Sequence, residues 1–176
     1  MDPNKLLASL SAQKPFSLLD VEQQNNLFRN CSYIRFKPGQ LMIRPDEIPR
    51  QVFIVASGSV RLLAKSTRDE EPITLGKRGR GQLVGWISLL RADPTEWIIA
   101  SEETIVLAIP AEDFIDSLKL CEVFAKTFNN LSSLHETFLV CKEVAANSVY
   151  LSSDWDDDFN LFLEKSVVVP ADSGKI

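Results

Sequence analysis

Between Gly85 and Ala100 the chain reads GWISLLRADPTEWIIA: a glycine, a short apolar run, Arg91, an Asp-Pro pair, then Thr95, Glu96 and a second apolar run. A loop, a helical turn and a strand in this order frame a site, and the residue types between them bear on what can sit there. A second basic candidate, Gly76-Lys77-Arg78-Gly79-Arg80-Gly81, lacks the Gly-Lys-Ser/Thr ending that wraps a nucleotide and places a hydroxyl on magnesium. It reads as a basic turn whose Arg78 or Arg80 is available to an anion or an acidic partner.

Other chemistries find little support. One histidine, His135, and three scattered cysteines, Cys31, Cys121 and Cys141, make neither a metal-ligand cluster nor a Cys/His nucleophile pair, so no catalytic, metal or cofactor site is expected. His135 reads as a packing or surface residue. The run Asp154, Asp156, Asp157, Asp158 alternates carboxylates as a calcium loop does, but Phe159 stands where that loop needs Gly and Lys165 where it needs Glu.

The elements that position these residues follow from pattern and composition. With 176 residues, of which 45% are hydrophobic, the chain suffices for one packed domain, and a net charge of −5 gives no general attraction to nucleic acid. The start shows no signal-peptide core, no run is long enough to cross a membrane, and three cysteines without CxxC spacing fit a reducing compartment. A cytoplasmic location without membrane insertion or nucleic-acid binding is the expectation.

Ser17 to Arg29 predicts a short leading helix capped by Ser17. From Tyr33 to Ile109, runs rich in Ile, Val, Phe and Leu alternate with turn residues about every ten positions, the pattern of a sandwich or roll. Gln51 to Val55 with Ser59 to Leu63, and Ile98 to Ala100 with Thr104 to Ile109, read as two hairpins. Pro110 starts a helical region in which Cys121, Phe124, Phe128, Leu131, Leu134, Phe138 and Cys141 recur at threes and fours, as on one long helix. Such a helix covers the β core, and the part from 112 to 146 is a candidate homodimer surface. Residues 1–146 form the domain; residues 147–176 read as a linker or the start of a following region.

The order FKPGQ, QVFIVASGSVRLL, GRGQLVGWISLL, IIASEETIVLAIPAEDF resembles the cyclic nucleotide-binding domain family from about Leu18 to Cys141, with Gly39, Gly58, Gly81 and Gly85 at matching places. The resemblance implies a mainly β fold, an eight-stranded jelly-roll or β-roll with a leading helix and a long C-terminal helix or helices. It also implies a phosphate-binding cassette here comprising Gly85, Trp86, Ile87, Ser88, Leu89, Arg91, Pro94 and Thr95. In the family a Glu directly after the cassette glycine accepts from the ribose hydroxyl, and an Arg directly after the cassette proline pairs with the phosphate. This chain has Trp86 and Thr95 at those places. Losing two charge-assisted hydrogen bonds of roughly 1.5–3 kcal/mol each weakens binding on the order of 100-fold or more. Trp86, which accepts no hydrogen bond and is bulky, is expected to fill the ribose space.

Arg91 and Arg61 are the candidates to replace the missing phosphate contact, and Glu96 reads as a polar rim or as the partner of Arg91. The variant cassette resembles that of the N-terminal domains of cyanobacterial peptidase-containing ABC exporters of the type I secretion group, where Trp commonly follows the glycine. The expectation is thus a non-enzymatic, degenerate regulatory or interaction domain, the N-terminal part of an exporter, whose partners are the other domains of that longer chain or a separate protein. Two alternatives stay open: a sensor for a different small anionic ligand, and the effector half of a transcription regulator.

Overall fold

The computed structural model describes residues 3–65, 71–129 and 133–146. The acidic run at Asp154 to Lys165, the region 147–176, the Arg68-Asp69 turn and Leu131 of the apolar stripe lie outside the described residues.

The chain opens with a helix that the sequence reading did not foresee, α1 (Pro3–Ser11), followed by a single 3-10 turn (Phe16–Leu18) and α2 (Val21–Phe28). The leading helix predicted from Ser17 is thus shorter, and its cap is Asp20. The Asp20 side chain accepts from Gln23 N–H at 2.8 Å while the Gln23 side chain accepts from Asp20 N–H at 3.0 Å, a reciprocal capping box.

Eight strands follow: β1 (Ser32–Phe36), β2 (Leu41–Ile43), β3 (Gln51–Ser57), β4 (Val60–Lys65), β5 (Pro72–Arg78), β6 (Leu83–Val84), β7 (Trp97–Ala100) and β8 (Thr104–Pro110), with α3 (Trp86–Arg91) between β6 and β7. They form two four-stranded antiparallel sheets, ordered β1-β8-β3-β6 and β2-β7-β4-β5. The expected mainly β, eight-stranded roll is the fold observed.

Both predicted hairpins are corners instead. β3 pairs with β8 and β6, whereas β4, two residues later, pairs with β5 and β7 in the other sheet. The segments β3–β4 and β7–β8 run side by side and bend together from one sheet to the other. At the bend Gly58 has φ +81°, and a Cβ on it would stand 2.5 Å from the Glu103 carbonyl oxygen, so only glycine lets the two corners touch. Ser59 C=O accepts from Ser101 N–H at 2.8 Å and from Thr104 Oγ1–H at 2.9 Å, which locks the pair of corners.

The two central strands of the first sheet, β3 and β8, are buried on both faces, which explains why they are apolar without interruption, whereas β1 at the edge is largely exposed. Val52, Ile54 and Ala56 of β3 and Leu107 and Ile109 of β8 face the helices, in one cluster with Leu27, Phe114, Phe124 and Phe128. Phe53 and Val55 with Val106 and Ala108 face inward, in a second cluster with Val60, Leu62 and Ile98 of the other sheet. Alternation along each strand thus feeds two cores.

After β8 the single long helix of the sequence reading gives way to α4 (Ala111–Leu120), α5 (Glu122–Asn129) and α6 (Leu134–Ala146). The start at Pro110 is as expected, with Glu112 and Asp113 in the first turn, but Cys121 is extended at φ −131°, ψ 99° and ends α4. The apolar stripe divides accordingly. Phe124 and Phe128 pack in the helix-side core, whereas Leu134, Phe138 and Cys141 belong to the core inside the roll. No helix of the described residues is long and apolar enough to cross a membrane.

Candidate ligand site

Gly85 ends β6 and opens α3 with φ +85°, and a Cβ there would stand 2.7 Å from Ile43 Cδ1 and 3.2 Å from the Gln51 carbonyl oxygen. As N-cap it has no side chain to offer, and α3 has no acidic residue in its first turn, so its N–H groups need an acceptor from elsewhere. Glu96 provides it. Its Oε1 accepts from Gly85 N–H at 2.9 Å, and its Oε2 accepts from Ile87 N–H at 3.2 Å and Ser88 N–H at 3.1 Å. Ser88 returns the contact: its Oγ accepts from Glu96 N–H at 2.9 Å and Thr95 N–H at 3.2 Å. The result is a capping box closed across the whole loop.

Glu96 is 1% exposed. Burial pushes its carboxyl above the ordinary glutamate range, while the hydrogen bonds from Ser88, Gly85 and Ile87 favour the ionised form and oppose that rise. Both expectations for Glu96, polar rim and partner of Arg91, are corrected: it is interior and bonded to the cassette backbone. The signal for it in the sequence is indirect, a short helix with no local cap followed by a carboxylate within one loop.

The other residues of the cassette are placed as follows. Trp86, Ile87 and Ser88 are buried, with Trp86 edge-on to Phe128 at 5.1 Å between centroids, and Leu89 packs on the helix-side core. Pro94 and Thr95 are half-buried, and the Thr95 hydroxyl stands 3.5 Å from Ser88 Oγ. Arg91 leaves the cassette and reaches α6, where its Nε donates to Glu136 Oε1 at 2.6 Å.

Beside the cassette is a cavity of about 330 Å³ whose lining includes Leu62, Arg78, Trp86, Glu96, Leu134 and His135. Of the three further arginine candidates only Arg78 borders it. Arg78 is half-buried and its Nη1 donates to the Lys77 carbonyl at 3.0 Å; burial pulls its pKa down. Arg80 is exposed. Arg61 alternates with the inward-facing Val60 and Leu62, which directs it away from the cavity side of β4.

The structure also adds His135, 3% exposed and seated between α6 and β4. Its Nε2 lies 3.0 Å from the Leu63 carbonyl oxygen and 3.4 Å from Trp97 N, so one ring nitrogen meets both an acceptor and a donor of the backbone. Nδ1 is buried and without a hydrogen-bond partner among the described residues. Of the two readings offered for His135, packing is the one observed. Among the described residues no group of three or more His, Cys, Asp or Glu could hold a metal ion.

A family model described as the cyclic nucleotide-binding domain matches residues 33–121. The chain belongs to that family. The cassette Gly85 to Thr95 and both corners lie inside the match, so the domain is a cyclic nucleotide-binding β-roll of the regulatory kind. A curated relative, the neuropathy target esterase sws of Drosophila ananassae, is 28% identical over 118 residues, which cover 61% of this chain and 8% of that protein.

Among solved structures, the regulatory subunit of a cAMP-independent protein kinase A from Trypanosoma cruzi bound to guanosine has a TM-score of 0.63 at 18% identity, covering 82% of this chain and 49% of that one. The sensor domain of the transcriptional regulator DNR from Pseudomonas aeruginosa has a TM-score of 0.60 at 13% identity, covering 69% and 86%. At these identities the likeness concerns the fold. The chain spans about half the length of the kinase subunit and a small part of the esterase.

Proposed function

We propose that this cyclic nucleotide-binding domain is a regulatory module in which nucleotide recognition has been replaced by internal contacts. The observation that carries this reading is the Glu96 carboxyl on the cassette N–H groups of Gly85, Ile87 and Ser88. Those donors would otherwise serve a phosphate, so a cyclic nucleotide has to displace a buried carboxyl that already satisfies them. Displacement strands Glu96 without its three donors, a cost of roughly 3 kcal/mol or more, about a hundredfold in affinity, before the missing Arg at Thr95 is counted. Trp86, packed on Phe128, removes the ribose-binding carboxylate as well.

Isothermal titration with cyclic AMP and cyclic GMP tests this. No binding is expected at hundreds of micromolar ligand; micromolar affinity for either nucleotide overturns the reading.

The parent protein we infer is a bacterial ABC-type exporter of the type I secretion group, on the strength of Trp86 directly after Gly85, with this domain on the cytoplasmic side contacting other parts of the chain. Coding sequence past Ile176 that continues into a peptidase region, membrane spans and an ATPase is the expected result. A helix-turn-helix there would instead favour the transcription-regulator alternative, for which the DNR sensor fold is a parallel. A sensor of some other ligand is favoured by the cavity of about 330 Å³ beside the cassette. The Trypanosoma cruzi subunit, bound to guanosine, is a precedent for this fold holding a molecule without a phosphate.

A further inference from the structure

The second sheet, β2-β7-β4-β5, turns one face to the core and the other outward. On β4, Val60, Leu62 and Ala64 pack in the core between the sheets, so alternation puts Arg61, Leu63 and Lys65 on the opposite face. On β7, Ile98 and Ala100 are inside, and Trp97 and Ile99 take the outward positions. Register then aligns Leu41, Ile99, Arg61 and Lys77 as one row across all four strands. Arg61 and Ile99 are half-buried, and Leu41 and Lys77 are exposed.

The charge on this face has one sign. Arg61 stands directly opposite Lys77, and like charges in that arrangement destabilise a sheet. The strands LMI, VRLLAK, PITLGKR and WIIA contain no acidic residue, and among the described residues none of Arg61, Lys65 and Lys77 forms an ion pair. In a chain of net charge −5 this face is a local exception. At its α6 end a cleft of about 250 Å³ opens between Leu63 and Trp97 on the sheet and Phe138 and Lys142 on α6, and its lining holds no carboxylate. Small-molecule pockets begin at roughly 300 Å³, so this cleft suits a single large side chain better than a free ligand.

We propose that this face docks an acidic segment of a protein partner, extended along β4, with a large apolar side chain in the cleft and a carboxylate two residues to either side of it. The spacing follows from the strand. Arg61 and Lys65 stand two residues either side of Leu63, roughly 6.6 Å each way, and an extended partner repeats its side chains on one face at the same interval. An apolar anchor in a pocket with charged groups at its rim is the usual plan of a protein interface. A second copy of this chain is the poorer occupant, because a twofold contact lays the same cations against each other. A membrane is poorer too, since the apolar feature is a cleft and not a protruding side chain. The proposal goes beyond the reading of the cassette and does not depend on it.

Titration of the full chain with the peptide acetyl-Glu-Ser-Phe-Ser-Glu-amide, followed by 15N NMR, tests it. Binding at millimolar peptide is expected, with shifts confined to β4, β5, β7 and α6 and including the Trp97 indole N–H. Three control peptides, with Gln for both Glu, with Ala for Phe, or with the order Ser-Glu-Phe-Glu-Ser, are each expected to bind severalfold more weakly. The double variant Arg61→Gln, Lys65→Gln is expected to bind the first peptide about fivefold more weakly, since two exposed ion pairs are each worth little. Lys119→Gln, on α4 in the helix layer, stays within twofold of the parent. Because it relieves the repulsion at Lys77, the double variant is also expected to be no less stable than the parent in urea. The proposal is overturned if no shift appears at millimolar peptide, if the shifts fall on the cassette, or if any control peptide binds as tightly as the first. A double variant that binds like the parent, or that is clearly less stable, overturns it too, the latter by showing that the cations serve the fold. Capture of the chain by vesicles of phosphatidylcholine and phosphatidylserine, in place of the peptide, overturns it by assigning the face to a membrane.

Discussion

At Glu96, one side chain satisfies the start of α3 and, on the proposed reading, takes the hydrogen bonds that an anion would use. Its removal therefore tests structure and function together. Glu96→Ala leaves the N–H groups of Gly85, Ile87 and Ser88 without their acceptor, and is expected to cost roughly 3 kcal/mol or more in urea unfolding. Glu96→Gln keeps one oxygen and is expected to cost about half as much. Equal, near-zero effects in both variants would show that the carboxyl is not what holds the loop.

Trp86 and Thr95 are legible in the sequence by type alone, and the proposed loss of nucleotide contacts starts from them. It did not reach Glu96, because a carboxylate next to an apolar strand looks like a rim residue until the loop is folded back on itself. Arg78 and Arg80 likewise differ in sequence by nothing that decides which one enters the cavity; the end of β5 decides it.

Among the elements, α6 has the most distinct anchoring. Its start is a capping box, with Ser133 Oγ accepting from Glu136 N–H at 2.9 Å and Glu136 Oε2 accepting from Ser133 N–H at 3.0 Å. The Arg91–Glu136 pair, partly exposed, adds no more than about 1 kcal/mol. Leu134 packs close enough to β5 that a Cβ on Gly76 would stand 2.7 Å from its Cδ1, and Phe138, 1% exposed, enters the core between the sheets. Phe138 is the main anchor. Phe138→Ala is expected to cost about 3–5 kcal/mol of α6 docking. Hydrogen exchange should then show α6 amides losing protection while β3 and β8 amides, buried between two cores, keep theirs; simultaneous loss in all three would mean that α6 is integral to the roll. With its outer side showing Leu139, Val140 and Val144 exposed, α6 is also the part of the 112–146 region that we propose for self-association, testable by sedimentation.

For the whole molecule, pH acts through His135. Burial holds its pKa below the ordinary value; the hydrogen bonds at Leu63 and Trp97 and the charge of Glu136 oppose that fall, and Arg78 adds to it. The folded state therefore binds fewer protons than the unfolded state once pH drops below about 6.5, and stability falls with pH from there downward. Measured as the difference between the parent and His135→Gln, which cancels other titrations, the loss is expected to approach at most roughly 1.4 kcal/mol per pH unit between pH 6.5 and 5. A flat difference over that range would show that His135 stays as accessible to protons folded as unfolded.

Pattern alone determined the class of this protein: short apolar runs with regular turns mean a β-roll, and the order of glycines and strands marks the family and its cassette. These features are local, since alternation, positive φ and turn chemistry depend on residues near in sequence. What pattern cannot state is the partner of each buried face. Two apparent hairpins became sheet-to-sheet corners because antiparallel pairing was available with a more distant strand, and one apolar stripe became three helices because its halves face different cores. Only the tertiary structure brought Glu96 onto the start of α3 and placed Arg78 and His135 on the lining of one cavity. Hydrogen bonds and cavities are properties of surfaces brought together, and the chain's order does not record which surfaces meet.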